Sequence, residues 1–522
     1  METYFYAVVP VGSPFIERAS CFMSNRFEDY LDSVITEESL KIIERYHSYH
    51  NFLHLEHERN KARIKNPPKK EIKKPDYWGF DRKFNPFYVK RKSKSIAKSI
   101  TRKLGDGTYK PLPPYKKEID KPGGGKRELS IYQIPDVAVS KIFYERLLAK
   151  NQHRFSSFSY AYRKDRNVHF AIQDIAVDLS LNARAFVAEF DFSNFFGSIS
   201  HEYLRDQFDC NGFYISEEER VVIDAFLGDS GVGIPQGTSV SLFLANLVCW
   251  KLDKSLESLG VKFARYADDT VIWSSSYQKV CDAFSIIDEF SSSAGVKINA
   301  KKSEGISLLT REGLPSELSS TKNSIEFLGY SISVDKVSIK PSSVRKIQDQ
   351  ISFLLYKNLI QPLKGSALRG LKIPGNGKDE ALLSAMMQIR RYLYGGLTSH
   401  QLKNYTNGRS KNFKFKGIMS FYPLVNDIEQ LKHLDGWLVS TIYRTLQLRC
   451  KLLDGWGFSR SEEFPFDVQR SDLVYAFRST LVRGKPLLEV PSFLLIQKAL
   501  QTGLKNRGIE GVMNPRSNEY HY

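Results

Sequence analysis

The chain of 522 residues has little cysteine and no long hydrophobic run. Its five cysteines are widely spaced and form no Cys-x-x-Cys pair, which excludes a disulfide framework and the common zinc ribbons. They are Cys21, Cys210, Cys249, Cys281 and Cys450. The sequence contains no run of 18 apolar residues and does not begin with the basic and apolar regions of a signal peptide. We therefore expect a cytoplasmic protein without a membrane contact.

Positive charge is concentrated in one segment. Residues 59–127 contain 23 Lys and Arg against 6 Asp and Glu, so this segment carries +17 of the chain's net +18. Aromatic residues interleave with the charges, which favours nucleic-acid contact over a solvated basic linker. We predict nucleic-acid contacts within residues 59–110. The candidate cations are Lys90, Arg91, Lys92, Lys94, Lys98, Arg102 and Lys103.

The periodicity of apolar residues divides the chain into three parts. Residues 1–110 form an N-terminal extension with a helical pattern from about 33 to 59 and a basic helix near 90–104. Residues 111–335 alternate short strand and helix patterns, which indicates an α+β domain, and residues 336–522 are mainly helical. His47, His50, His54 and His57 would share one helix face. We favour a polar surface over a metal site there, because no cysteine completes a ligand set.

Three carboxylates follow strand-like runs. Residues 263–273 read as a β-hairpin with Asp268 and Asp269 at its turn, and the run 186–191 ends in Asp191. An ordinary acidic turn would explain the hairpin alone. Adjacent carboxylates repel unless a cation lies beside them, and carboxylate oxygens suit Mg²⁺. Three of them could hold two Mg²⁺ ions for nucleotidyl transfer.

These motifs resemble those of reverse transcriptases. Asp191 with Phe195-Phe196, Pro235-Gln236-Gly237 and Tyr266-Ala267-Asp268-Asp269 occur in the order and spacing of motifs A, B and C. The run 121–129 resembles the fingers hairpin of retron and group II intron enzymes, and 159–163 resembles the next fingers motif. The run 295–303 looks like motif D, and Phe327-Leu328-Gly329-Tyr330 looks like motif E, the primer grip. The resemblance covers about residues 120–335.

The resemblance implies a right-hand polymerase with fingers, an antiparallel palm sheet and a helical thumb. Asp191, Asp268 and Asp269 would bind two Mg²⁺ with the Phe192 carbonyl. The resemblance also implies that Lys121 and Arg127 hold the triphosphate and that Gln236 and Gly237 contact the nucleotide. Lys302 (or Lys301) would protonate pyrophosphate. Phe196 would exclude the 2′-OH, and Arg163 would contact nucleic acid. The expected activity is RNA-directed DNA synthesis from dNTPs, giving a cDNA product.

The flanking regions narrow the subgroup. No Cys/His-rich endonuclease domain can be built after residue 340, and the helical C-terminal part is longer than a simple thumb. This architecture looks like the unknown-group and abortive-infection class, which resembles phage-defence polymerases with a structured noncoding RNA template. The primer stays open among RNA, DNA and a protein hydroxyl such as that of Tyr520 or Tyr522, and so does homo-oligomerisation. A template-independent or protein-primed DNA polymerase is one alternative, and a catalytically idle RNA-binding scaffold is another.

Overall fold

The computed structural model describes most of the chain. The described residues are 14–61, 66–67, 69–120, 126–182, 184–303, 305–311, 313, 319–364, 379–410, 412–479, 481–482, 485–486 and 489–518. Lys121, Tyr520 and Tyr522, which the sequence singles out, lie outside them, as does the side chain of Arg127. Within these residues no helix is both long and apolar enough to cross a membrane.

Two helices dominate the N-terminal extension. α1 spans Pro14–Lys61 and therefore begins well before the predicted start near residue 33. Short 3₁₀ helices at Asp76–Gly79 and Arg82–Phe84 lead into α2, Pro86–Gly105, which is the predicted basic helix. α2 begins where the Asn85 side chain accepts a hydrogen bond from the backbone N–H of Phe87, with proline at the first helical position.

The middle of the chain alternates strands and helices. The strands are Tyr115–Asp120 (β1), Lys126–Ile131 (β2), Arg184–Phe190 (β3), Phe192–Ser193 (β4), Lys262–Tyr266 (β5), Asp269–Ser274 (β6), Lys297–Ile298 (β7), Ile306–Thr310 (β8), Thr321–Lys322 (β9), Ile325–Phe327 (β10), Tyr330–Ile332 (β11) and Val337–Ile339 (β12). The helices are Ile134–Asn151 (α3), Val168–Ser180 (α4), Phe195–Ser198 (α5), His201–Cys210 (α6), Glu217–Leu227 (α7), Val240–Val248 (α8), Trp250–Leu259 (α9) and Tyr277–Ala294 (α10).

A five-stranded sheet in the order β5-β6-β3-β8-β9 forms the centre of this part. Its strand pairs are antiparallel except for the parallel pair β8–β9. Side chains alternate between the two faces of β3, because successive residues of a strand point to opposite sides. Ala188 and Phe190 enter one hydrophobic core, whereas Ala185 and Val187 enter the other. The predicted α+β class with an antiparallel sheet is confirmed.

The C-terminal part is mainly helical, as predicted. Its helices are Pro341–Leu355 (α11), Glu380–Tyr394 (α12), Ser399–Thr406 (α13), Ile428–Asp454 (α14), Leu473–Ser479 (α15) and Phe493–Arg507 (α16). A short hairpin, Leu481–Val482 (β13) with Lys485–Pro486 (β14), interrupts them.

The two cores cross the predicted domain boundaries. Leu31 of α1 and Val89 of α2 share the first core with the helices around the central sheet, so the N-terminal extension is packed onto residues 111–335. α11, α12, α14 and α16 share the second core with the opposite sheet face. The boundary at residue 335 cuts a sheet, because β12 pairs with β11.

Candidate active site

A tight hairpin presents two of the predicted carboxylates. β5 and β6 pair antiparallel, and Tyr266 lies opposite Asp269 at the turn. Ala267 adopts φ +60°, a left-handed conformation that is unusual for alanine and tightens the two-residue turn. Asp268 and Asp269 therefore lie next to each other at this end of the sheet, as the sequence predicts.

A fully buried ion pair supports this turn from below. The Arg265 guanidinium donates from Nε and Nη2 to the two carboxylate oxygens of Asp253 on α9, each at 2.6 Å. It also donates to the Ala267 carbonyl at 3.0 Å and to the Ser159 hydroxyl at 2.8 Å. Because a planar guanidinium fixes its donors in one plane, Arg265 locks the turn to a helix and to the loop before α4.

Asp191 lies where β3 ends, and motif D holds it there. Asn299 donates its side-chain amide to Asp191 Oδ2 at 2.7 Å and its backbone N–H to the Asp191 carbonyl at 2.8 Å. The Lys302 ammonium contacts Asp191 Oδ1 at 3.0 Å. The choice between Lys301 and Lys302 is thereby resolved for this contact, since Lys302 is the one that reaches the carboxylate.

The three carboxylates influence one another. Partial removal from water, followed by the negative charges of Asp268 and Asp191, raises the pKa of Asp269 to about 7. The pKa of Lys302 is raised as well, chiefly by its hydrogen bond to Asp191. A carboxylate that is hard to ionise beside two others is the electrostatic setting in which a hard cation is favourable.

The donor chemistry fits divalent metal, but the ligand geometry is not already assembled. Among the described residues, no three His, Cys, Asp or Glu side chains are grouped closely enough to hold a metal ion. The same finding applies to His47, His50, His54 and His57 on α1. In the carboxylate cluster the positive charge beside Asp191 comes from Lys302.

The predicted steric gate is tied to motif B. Phe196 is half-buried, and its carbonyl accepts a hydrogen bond from the Ile234 N–H at 2.6 Å. One turn further on, Gly233 donates to the Ile199 carbonyl at 2.7 Å. The Phe195 ring lies edge-on to Phe196 at 5.5 Å and fills the core below it. These contacts fix the backbone at Phe196 to the segment that leads into motif B.

The backbone at Gly237 approaches the β1–β2 hairpin closely. Its φ is +105°, and a β-carbon there would lie 2.3 Å from the Ser130 carbonyl of β2. Any larger residue at this position would therefore collide with the hairpin, whereas the predicted nucleotide contact of Gly237 stays a prediction. In that hairpin Arg127 lies opposite Ile119. The contact between Gly237 and Ser130 connects motif B to the strand that carries Arg127.

The motif E hairpin is only partly available for nucleic acid. Leu328 and Gly329 form its turn with φ +48° and +86°, and both are half-buried. Phe327 and Tyr330 are buried in the second core, and the Tyr330 hydroxyl donates to the Phe421 carbonyl at 3.0 Å. These two side chains therefore anchor the hairpin, and the primer grip by the four residues stays a prediction that the turn at Leu328 and Gly329 would carry.

Arg163 is likewise used internally. Its guanidinium contacts Asp165 at 2.7 Å and the Ser156 carbonyl at 2.5 Å, and its side chain is 5% exposed. The predicted nucleic-acid contact by Arg163 is corrected by this burial.

The cations of the basic helix α2, unlike Arg163, are open to solvent. Its seven candidate cations are all exposed, and none forms an ion pair with an acidic side chain in the part of the chain that the structure covers. These are Lys90, Arg91, Lys92, Lys94, Lys98, Arg102 and Lys103.

Asn299 gives a direct test of the positioning of Asp191. Asn299→Ala removes the amide that holds Asp191 Oδ2, and we expect catalytic turnover to fall by about 10–100-fold, as for other residues that orient metal-binding carboxylates. Asn404→Ala, on the distant helix α13, is the matched control. Steady-state nucleotide incorporation measures both, and equal rates in the two variants would contradict the assigned role.

Comparison with known proteins places the site in a family. Residues 119–332 match the family model described as reverse transcriptase (RNA-dependent DNA polymerase). The chain is 22% identical over 421 residues to the putative COX1/OXI3 intron 1 protein of Saccharomyces cerevisiae, covering 68% of this chain and 47% of that protein. It is 31% identical over 122 residues to the retron Ec86 reverse transcriptase of Escherichia coli, covering 23% of this chain and 34% of that protein.

These relatives are matched over only part of their length. The chain spans about half or less of the curated relatives named above. Among solved structures, a telomerase from Candida albicans in complex with a fragment of telomeric RNA aligns over 79% of this chain and 77% of its own, at 12% identity and a TM-score of 0.34. The family match spans the carboxylate cluster, motif B and most of the motif E hairpin, so residues 119–332 are similar to a reverse transcriptase domain.

Proposed function

We propose that the protein is an RNA-directed DNA polymerase whose catalytic centre is the cluster of Asp191, Asp268 and Asp269. The observation that carries this proposal is the pairing of β3 with β6, in which Phe190 lies opposite Thr270, so that Asp191 and Asp269 adjoin at the same end of the sheet. The reverse transcriptase family match over residues 119–332 supports the same activity.

Each side chain has a defined task in this proposal. Divalent ions such as two Mg²⁺, when bound, would activate the attacking hydroxyl and neutralise the leaving pyrophosphate. Asp191, Asp268 and Asp269, with the Phe192 carbonyl, would hold them. Asn299 fixes the orientation of Asp191, and Arg265 fixes the turn beneath Asp268. Lys302 would deliver a proton to the leaving group, and its contact with Asp191 at 3.0 Å supports this role.

The nucleotide would bind between motif B and the β1–β2 hairpin. Arg127 and Lys121 would neutralise its triphosphate, with Gln236 beside the base pair. Gly237 keeps the hairpin close to motif B through its approach to Ser130. This contact fixes the distance between motif B and the β1–β2 hairpin, where the nucleotide would bind.

Purified full-length protein tests the activity. Labelled dNTPs, a DNA primer and an RNA template should give extension that depends on added Mg²⁺ and stops with EDTA. Extension with the RNA template omitted would favour the template-independent alternative. Absence of extension with bound RNA retained would favour the idle scaffold.

Phe196 should determine sugar selection. Phe196→Ala removes a ring that would crowd a 2′-OH, and we expect discrimination against ribonucleotides to fall by about tenfold, because relief of a clash of this size is worth about 1–3 kcal/mol. Single-nucleotide incorporation of dNTP against rNTP measures the ratio. The exposed Phe353→Ala on α11 is the control, and an unchanged ratio in Phe196→Ala would place the gate elsewhere.

We further propose that the template is an associated structured noncoding RNA, that the setting is cytoplasmic antiphage defence, and that the protein belongs to the unknown-group and abortive-infection class. The support is the exposed basic helix α2 together with the long helical C-terminal part. RNA and DNA that copurify with the protein from infected and uninfected cells test this, and a random RNA population without cDNA would contradict it.

A further inference from the structure

A cavity of about 400 Å³ lies in the N-terminal extension, between the 3₁₀ helices and the start of α2. Pockets of roughly 300–1,000 Å³ are the usual size for small ligands. Its lining residues are Trp78, Arg82, Asn85, Phe87, Tyr88 and Arg91. Three aromatic rings and two arginines thus surround one opening, within a segment whose net charge is strongly positive.

The aromatic wall is held rigidly. The Trp78 and Phe87 rings are nearly perpendicular, with centroids 6.0 Å apart. Tyr46 of α1 packs against both, at 5.3 Å from Trp78 and 6.0 Å from Phe87. Trp78 is only 6% exposed, whereas Phe87 is 39% exposed. A flat ligand could therefore stack on the exposed Phe87 ring, which Trp78 and Tyr46 support from behind.

Two arginines border this wall and remain open to solvent. Arg82 and Arg91 are both exposed, and neither forms an ion pair with an acidic side chain within the described ranges. The nearest acid along the chain, Asp81, accepts a hydrogen bond from the Lys83 N–H and so caps the 3₁₀ helix. Guanidinium groups bind phosphate oxygens in a bidentate geometry, which matches the backbone of a nucleic acid.

Trp78 also carries a buried donor. Its indole Nε1 is inaccessible to solvent and has no hydrogen-bond partner among the described residues. Buried donors are nearly always paired in folded proteins, and indole N–H can only donate.

We propose that this cavity binds one unpaired nucleotide of single-stranded RNA. The base stacks against the aromatic wall, and Arg82 and Arg91 hold the adjacent phosphates. A base inside a duplex cannot enter, because its faces are covered by its neighbours. The inference rests on the proposed RNA binding by residues 59–110 and does not depend on catalysis at Asp268 and Asp269.

Variants of two arginines on α2 distinguish binding in the cavity from nonspecific attraction between the basic helix and phosphate. Arg91→Gln and Arg102→Gln each remove one exposed charge of α2, but only Arg91 lines the cavity. The probe is a fluorescein-labelled oligouridine of about twelve nucleotides, within the usual site size for single strands. We expect Arg91→Gln to weaken binding about tenfold, the effect of one stacked and charge-anchored nucleotide, and Arg102→Gln to weaken it about threefold or less.

A duplex RNA of the same length is the second probe. Both variants should weaken the binding of the duplex equally, because a duplex binds α2 through its phosphate charges alone. Equal effects of the two variants on oligouridine would overturn the cavity while leaving the basic segment as an RNA contact. No effect of either variant on either probe would overturn both the cavity and the RNA binding of residues 59–110.

Crosslinking and competition complete the test. Oligouridine that contains 4-thiouridine should crosslink to the peptide carrying Trp78 or Phe87, and crosslinks elsewhere alone would overturn the site. Uridine monophosphate that displaces the probe from the wild type but not from Arg91→Gln would show that a free nucleotide suffices. Equal displacement of the probe from the wild type and from Arg91→Gln would overturn the cavity as the nucleotide site.

Discussion

Replacement of Asp268 and Asp269 by asparagine should abolish DNA synthesis. Both amides keep the size of the carboxylates but remove the charge that would hold metal ions beside Asp191. We expect incorporation to fall by at least about 10³-fold, because electrostatic stabilisation of the reacting phosphate contributes several kcal/mol. Primer extension on an RNA template measures the loss, and RNA affinity should stay close to wild type.

The matched control also removes two negative charges. Asp229→Asn with Asp288→Asn changes exposed positions outside the cluster and should leave synthesis near wild type. Synthesis in the Asp268→Asn, Asp269→Asn variant at more than a few per cent of wild type would contradict the assigned catalytic centre.

Asp253→Ala should have the largest effect on stability. It would leave the Arg265 guanidinium buried without its counter-charge, and removal of one partner from a buried pair costs about 3–5 kcal/mol. Denaturant unfolding followed by circular dichroism should show a midpoint shift of that size. Asp224→Ala breaks the exposed pair with Arg205 and should cost less than about 1 kcal/mol.

A double variant separates stability from function at the same place. Asp253→Leu with Arg265→Met replaces the ion pair by apolar side chains and should recover much of the lost stability. It should still lower synthesis, because the Ala267 carbonyl loses its donor. Recovery of both stability and activity would show that Arg265 serves packing alone.

The sequence predicted the catalytic hairpin because its chemistry is local. Alternating apolar residues on both sides of Ala267-Asp268 define two strands and a short turn, which β5 and β6 confirm. The position of Asp191 at the end of a strand also follows from the sequence pattern, since β3 ends one residue before it. Close spacing along the chain is sufficient for such elements.

The supporting contacts could not be predicted in this way. Arg265 joins Ser159, which lies 106 residues away, and Asn299 joins Asp191 across 108 residues. Such pairs depend on how helices and loops pack, and no local period reports them. An arginine beside the apolar residues Phe263 and Ala264 of β5 was nevertheless a usable sign, because a buried guanidinium requires a partner.

Motif residues also proved to have more than one use. Tyr330 and Arg163 match the family pattern, yet both are buried and make internal hydrogen bonds. Gly237 allows the close approach of the Ser130 carbonyl. The motifs therefore indicate where these segments lie along the chain. Which contacts each side chain makes depends on whether it is buried, and a motif does not report that.

The most direct test of RNA-directed synthesis is a single-base change in the template. Wild-type protein extends a DNA primer on two RNA templates that differ at one internal position, and the products are sequenced. We expect products that differ only at that position, each with the complementary deoxynucleotide. Identical products from both templates, or extension that ignores the RNA, would contradict it.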